Sequence, residues 1–120
     1  MTHFNLKSLT QNYEIESTIL NHPAWYGNIT GLESESLLKD KAAYFYLLRK
    51  GEQASHYYLS FVDGHLLIRH QPFAIIYQDE GWYCRQGIGY GPFITQTISD
   101  LIHRIMHCAP EDCKPVIRAH

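Results

Sequence analysis

Ala43-Tyr44-Phe45-Tyr46-Leu47-Leu48-Arg49-Lys50-Gly51 is the stretch that decides the architecture. Residues 43–48 are apolar or aromatic, carry no charge, and run directly into an arginine. A run that short, closed by Gly51, reads as a strand buried on both faces. Side chains alternate along a strand, so Phe45, Leu47 and Arg49 share one face while Tyr44, Tyr46 and Leu48 take the other. On that reading Arg49 points the same way as core residues. A guanidinium there must meet an anion or carry a desolvation cost on the order of several kcal/mol. The competing reading ends the strand at Leu48 and leaves Arg49 in water. The stretch alone supports both.

Upstream stands Trp25-Tyr-Gly-Asn-Ile-Thr-Gly-Leu-Glu-Ser-Glu-Ser-Leu-Leu38, and downstream come Tyr57-Tyr-Leu-Ser60 and Ile68-Arg-His70. In order and spacing these segments resemble the SH2 domain family. That family shows a W-Y/F-x-G-x-I-[ST]-R-x-E-[AS]-E-x-L-L opening, then F-L-[VI]-R, Y-x-L-S and V-x-H. Tyr46-Leu47-Leu48-Arg49 matches the F-L-V-R element, and the resemblance spans about residues 24–117.

The resemblance implies a non-catalytic module that binds phosphotyrosine peptides and recruits its protein to tyrosine-phosphorylated partners. It implies Arg49 as the bidentate phosphate ligand. It also implies amides from Lys50, Gly51, Glu52 and Gln53 in the following loop, with Ser55 as a hydroxyl donor. The chemistry fits: a phosphotyrosine brings a charge of about −1.5 to −2 and three strong acceptor oxygens, which suit a forked guanidinium and a tight loop of amides. His70 matches the family's strand histidine beside the phosphotyrosine ring; a core histidine bonded to the sheet is the other reading. Two positions depart from the pattern. Gly31 stands where the family usually places an arginine over the phosphate, and Pro72 stands where a lysine would follow His70. Either Lys50 or Arg69 then serves as a further cation, or Arg49 acts alone. One residue is also missing between Tyr26 and Gly27. The peptide beyond the phosphotyrosine is expected to meet Ile88, Tyr90 and Phe93 on one side and the shorter 107–112 segment on the other.

Composition sets the outer bounds. The chain has 120 residues, 45% hydrophobic and 18% charged, which fits one domain with a modest core. Ten basic against twelve acidic residues argue against nucleic-acid binding. Apolar runs are far too short for a membrane span, and the N-terminus lacks the layout of a signal peptide. Three cysteines and no secretion signal point to reduced thiols in a cytoplasm, which is a host-cell cytosol if the protein is a pathogen effector. A monomer without cofactors is expected.

Along the chain, residues 1–21 lack a clean period and read as an N-terminal extension before a domain over 22–120. Tyr13, ahead of Glu14-Ile15-Glu16, is either a phosphorylation site or an ordinary surface tyrosine. Thr30 and Glu33 form a capping box that opens a helix to about Lys39, with Leu32, Ser36 and Leu37 toward the core. Strands follow over 57–62 and 66–70, joined by an Asp63-Gly64 turn, and Pro72 marks an edge or a bulge. Runs 74–77 and 82–84 flank another turn, and 85–92 form a glycine-rich loop. A helix over 97–107 carries Ile98, Leu101, Ile102 and Met106 at helical spacing; Pro110 ends it, and 113–117 close as a strand. The fold class is α+β, a central antiparallel sheet flanked by two α-helices.

Spacing separates the rival chemistries. His103, His107, Cys108 and Cys113 give H-x3-H-C-x4-C, a set that suits zinc in a zinc-stabilised scaffold, although C-x4-C is loose and adjacent His107-Cys108 seldom chelate together. Cys84 lacks the arginine six residues on that a tyrosine phosphatase loop needs, since Tyr90 stands there. The glycines at 87, 89 and 91 precede no Lys-Ser/Thr and make no nucleotide loop. An SH2-like fold that binds proteins independently of phosphate is the remaining alternative.

Overall fold

The computed structural model describes residues 14–76, 81–85 and 91–118. Tyr13, residues 78–80 of the turn expected between the 74–77 and 82–84 runs, Ile88 and Tyr90 fall outside them. The strands are β1 (Phe45–Lys50), β2 (His56–Val62), β3 (Ile68–Ile76), β4 (Gly81–Cys84), β5 (Phe93–Thr95) and β6 (Lys114–Pro115). They form one sheet in the order β5-β4-β3-β2-β1-β6. Pairing is antiparallel throughout except for β6, which lies parallel to β1 and makes the sheet mixed. Helices are α1 over 14–20, α2 (Gly31–Leu38) and α3 (Ile98–Met106). The α+β class stands, with a third helix where the sequence showed no period.

Strand alternation sorts the side chains onto two unequal faces. One holds the large core: Tyr46 and Leu48 of β1, Tyr57, Leu59 and Phe61 of β2, Phe73 and Ile75 of β3, and Trp82 of β4. The apolar stripe of α3, Ile98, Leu101, Ile102, Ile105 and Met106, covers it. Ile15 and Ile19, four apart on α1, pack on the same core, and Ile19 is fully buried. The other face has a small core of Leu38, Leu47 and Val62, edged by Phe45 and Ile68.

The capping box forms as expected: Thr30 Oγ1 accepts from the Glu33 amide (3.0 Å), and Glu33 Oε1 accepts from the Thr30 amide (3.1 Å). The buried face of α2 is not the expected one. Ser34 and Leu38 are buried, while Leu32 and Leu37 are 78% and 37% exposed and Ser36 is exposed. The box fixes the helix start at Gly31, so the inward stripe at i, i+3 and i+7 falls on Gly31, Ser34 and Leu38.

Pro72 lies at a locally open edge of the sheet, one of its two expected places, and the expected Asp-Gly turn is corrected. Strand β3 runs unbroken through Pro72, which pairs with Tyr58. The Pro72 carbonyl faces away from β2, accepting from Gln71 Nε2 (3.1 Å) and meeting Cys84 Sγ (3.9 Å). The missing N–H lies on that same side, where β4 pairs only from Ala74 onward, so no ladder bond is lost. The β2–β3 connection is a loop over 63–67 rather than a tight Asp-Gly turn. Asp63 organises it: Oδ1 accepts from the His65 and Leu67 amides (2.8 and 2.9 Å), and Oδ2 binds Arg69 Nε (2.9 Å).

Candidate functional site

Register alone assembles a polar cluster on the α2 face. β1–β2 pairing sets Arg49 opposite Tyr58, and β2–β3 pairing sets Ser60 directly opposite His70. Alternation turns Arg49, Tyr58, Ser60 and His70 to the same side, and Arg49 reaches Ser60 along the diagonal. Above them, α2 places Glu35 over His70 and Gly31 over Arg49.

Arg49 is 8% exposed. Its guanidinium carbon lies 4.3 Å from the Tyr58 ring centroid, a cation–π contact. Nε–H donates to Ser60 Oγ (3.1 Å), and Nη2 donates to His70 Nδ1 (3.3 Å). Ser60 Oγ lies 2.8 Å from the same Nδ1. Arginine has no acceptor, so in its bond with Arg49 Nδ1 is the acceptor, and its single lone pair is shared with the Ser60 hydroxyl. The ring proton is then on Nε2 and goes to Glu35 Oε1 (3.2 Å). His70 is thus bonded across the sheet, and its side chain remains 26% exposed.

Every direct partner of the guanidinium is neutral. Burial lowers the Arg49 pKa, opposed by Tyr58 and by the Glu35 carboxylate, but an arginine keeps its proton. Among the described residues no carboxylate forms an ion pair with it. Of the five N–H donors of a guanidinium, Nε–H and one Nη2–H are engaged. No buried side-chain nitrogen or oxygen lacks a partner among the described residues. Among the described residues Nη1 has no partner, so it is not fully buried. A guanidinium so placed has the donor geometry to hold an oxyanion.

The loop after β1 contributes less than expected. The Lys50 amide donates to the Gly27 carbonyl (2.8 Å) and the Gly51 amide to the His56 carbonyl (2.8 Å), so neither is left for a ligand. Gly51 is required for that closure, because a Cβ there would stand 2.7 Å from the His56 oxygen. Among the described residues the amides of Glu52, Gln53 and Ala54 have no backbone partner. Ser55 takes a left-handed conformation (φ 64°) at the loop's end, and its carbonyl accepts from Ile75. Arg69 lies on the opposite face of β3 from His70, held by Asp63 at 2.9 Å. Lys50 is exposed and follows Arg49 onto the other face of β1. A Cβ on Gly31 would sit 3.6 Å from Arg49 Nη2, an ordinary contact, so the position overlooks the guanidinium directly.

Ser60 and Glu35 were not singled out from the sequence. Each stood inside a quoted motif, Ser60 in Tyr-Tyr-Leu-Ser and Glu35 in Glu-Ser-Glu, but only the register and the helix phase bring them to Arg49.

A second concavity, of about 440 Å³, lies on the α3 side between Phe93, His103, Arg104, His107, Cys108 and Ala109. Arg104 stacks 4.2 Å over the Phe93 ring. His103 faces Asp100 (3.4 Å) and the two cysteines face each other. Among the described residues no group of three or more His, Cys, Asp or Glu side chains gathers in a metal-binding arrangement. The zinc spacing read from His103, His107, Cys108 and Cys113 therefore does not become a cluster.

Among the described residues no helix is long and apolar enough to cross a membrane. No curated protein matches the chain. A family model described as the SH2 domain matches residues 25–104.

Proposed function

The chain belongs to the SH2 domain family, whose members are phosphotyrosine-peptide binding modules rather than enzymes, and from that premise we propose that Arg49 is its phosphate receptor. The open Nη1 edge of a buried guanidinium with only neutral partners carries this reading. A phosphate dianion supplies the counter-charge that Arg49 lacks, and Ser60 and His70 hold the fork in place while it waits. Amides of Glu52, Gln53 and Ala54 close on the remaining phosphate oxygens. The phosphotyrosine ring lies against His70, and the peptide runs on toward Phe93 and the concavity beside α3. The module recruits its protein to tyrosine-phosphorylated partners as a monomer in the cytoplasm, without a cofactor and without nucleic acid.

Calorimetric titration with a phosphotyrosine peptide and its unphosphorylated twin tests the reading. The phosphorylated peptide saturates the protein and the twin does not. Equal binding of both points instead to a phosphate-independent protein module.

Gly31 offers a second test. An arginine at this position can reach the ligand from beside Arg49, and a charge-assisted hydrogen bond is worth about 1.5–3 kcal/mol when made. Like-charge repulsion in the free protein offsets part of that. Gly31→Arg should therefore tighten phosphopeptide binding roughly tenfold at low salt, less at high salt. An unchanged affinity at low salt would mean that the space above the guanidinium is already filled.

A further inference from the structure

We propose that Cys108 and Cys113 form a modification site, a dithiol that closes to an intramolecular disulfide and ties the end of α3 to the start of β6. Their Sγ atoms are 2.9 Å apart, closer than non-bonded sulfurs ordinarily approach and wider than the bond of about 2.05 Å.

Backbone bonds hold both residues in place. At the end of α3, His107 takes a left-handed conformation (φ 55°) as C-cap, and its amide and that of Cys108 both return to the His103 carbonyl. This turn swings Cys108 back beneath the helix. A 3₁₀ turn over Pro110–Asp112 then reverses the chain, with the Cys113 amide bonded to the Pro110 carbonyl (3.3 Å). The next residue is fixed in the sheet, since the Lys114 amide donates to the Tyr44 carbonyl (2.9 Å). The two thiols therefore meet without any rearrangement of an element. Cys84, fully buried in β4, is the third cysteine and stands apart from the pair.

The reaction needs an oxidant, and a small-molecule disulfide such as oxidised glutathione supplies it. The Cys113 thiolate attacks one glutathione sulfur and expels the other half as a thiolate, giving a mixed disulfide. The Cys108 thiolate then attacks Cys113 Sγ, forming the Cys108–Cys113 bond and releasing the second glutathione. Two protein thiols are oxidised and one glutathione disulfide is reduced; the two protons end on the departing thiols.

The surroundings set the pace. Burial, the hydrogen bond and charge of Cys113, and nearby Asp112 push the Cys108 thiol up to about 12; burial also raises Cys113. Thiolate is scarce at neutral pH, so closure is slow there and quickens as pH rises. The site is a slow brace, and fast peroxide sensing is excluded by the same chemistry. Because Cys108 lines the concavity beside α3, the bond also fixes one wall of that space.

The test uses the full native chain and does not depend on phosphopeptide binding. After incubation with oxidised glutathione, the protein is denatured, alkylated and digested with trypsin. Arg104 and Arg118 bound a peptide containing both cysteines, because Lys114 precedes Pro115 and resists cleavage. That peptide should be unalkylated and two hydrogens lighter than its reduced form, with Cys84 alkylated. Closure should accelerate several-fold per pH unit between neutral and mildly alkaline conditions. The oxidised protein should melt about 5 °C or more above the reduced one, and Cys108→Ser should show no such shift. Alkylation of both cysteines, a stable mixed disulfide on either, or an unchanged melting temperature in fully bridged protein overturns the proposal.

Discussion

Arg49→Ala weakens binding of a phosphotyrosine peptide by roughly 30- to several-thousand-fold and leaves the domain folded. The affinity loss follows from truncating one partner of a desolvated charge pair, which costs about 2–5 kcal/mol. The intact fold follows from the neutrality of its protein partners. With the guanidinium gone, Ser60 Oγ and His70 Nδ1 keep their 2.8 Å hydrogen bond, and His70 keeps Glu35. No carboxylate in direct contact is stranded, and removing a desolvated charge offsets part of the lost Tyr58 contact and hydrogen bonds, so the loss in unfolding free energy should stay within about 0.5–3 kcal/mol. Arg49→Lys should recover little, because an ammonium cannot present two parallel donors while also bonding Ser60 and His70. Calorimetry on the parent and both variants, paired with urea unfolding, measures both quantities. If the alanine variant binds like the parent, Arg49 is not the phosphate receptor.

Trp82→Ala should have the largest effect on stability. Trp82 is 2% exposed and packs edge-on against Tyr57 and Phe73, with ring centroids at 6.1 and 5.8 Å. Tyr57 in turn stacks on Phe73 and meets Trp25, so one indole supports an aromatic cluster spanning β2, β3, β4 and the chain entry. Truncating a buried Trp costs about 3–5 kcal/mol, a large fraction of the roughly 5–15 kcal/mol that holds such a domain. Urea unfolding should show a lower midpoint at similar slope. Trp82→Phe keeps an aromatic edge in the cluster and should lose less. A loss under about 1 kcal/mol for the alanine variant would mean that the neighbours collapse into the vacated space.

The parts of this molecule legible in the sequence are those written locally. The alternation of 44–49 put Arg49 on a core face, the Thr30–Glu33 box fixed a helix start, and the spacing of Ile98, Leu101, Ile102 and Met106 gave α3. What escaped was settled by approach distance rather than hydropathy. Leu32 and Leu37 are apolar yet point outward, because Gly31 and Ser34 let α2 lie close to the sheet and the helix phase follows them. The amides of Lys50 and Gly51 went to Gly27 and His56, partners that no spacing rule names. Ser60 and Glu35 joined the site through cross-strand register and helix phase, both tertiary quantities. In α1, Ile15 and Ile19 show one four-residue step, too little for a period.

The sheet's two faces are unequal in a way that bears on how such a chain changes over generations. The larger core lies on the side under α3, and the Arg49 cluster lies on the side under α2, with the sheet backbone between them. Substitutions on opposite sides share no side-chain contacts, so their free energies should nearly add. On the role proposed for Arg49, residues beside it can change over generations at little cost to the margin against unfolding.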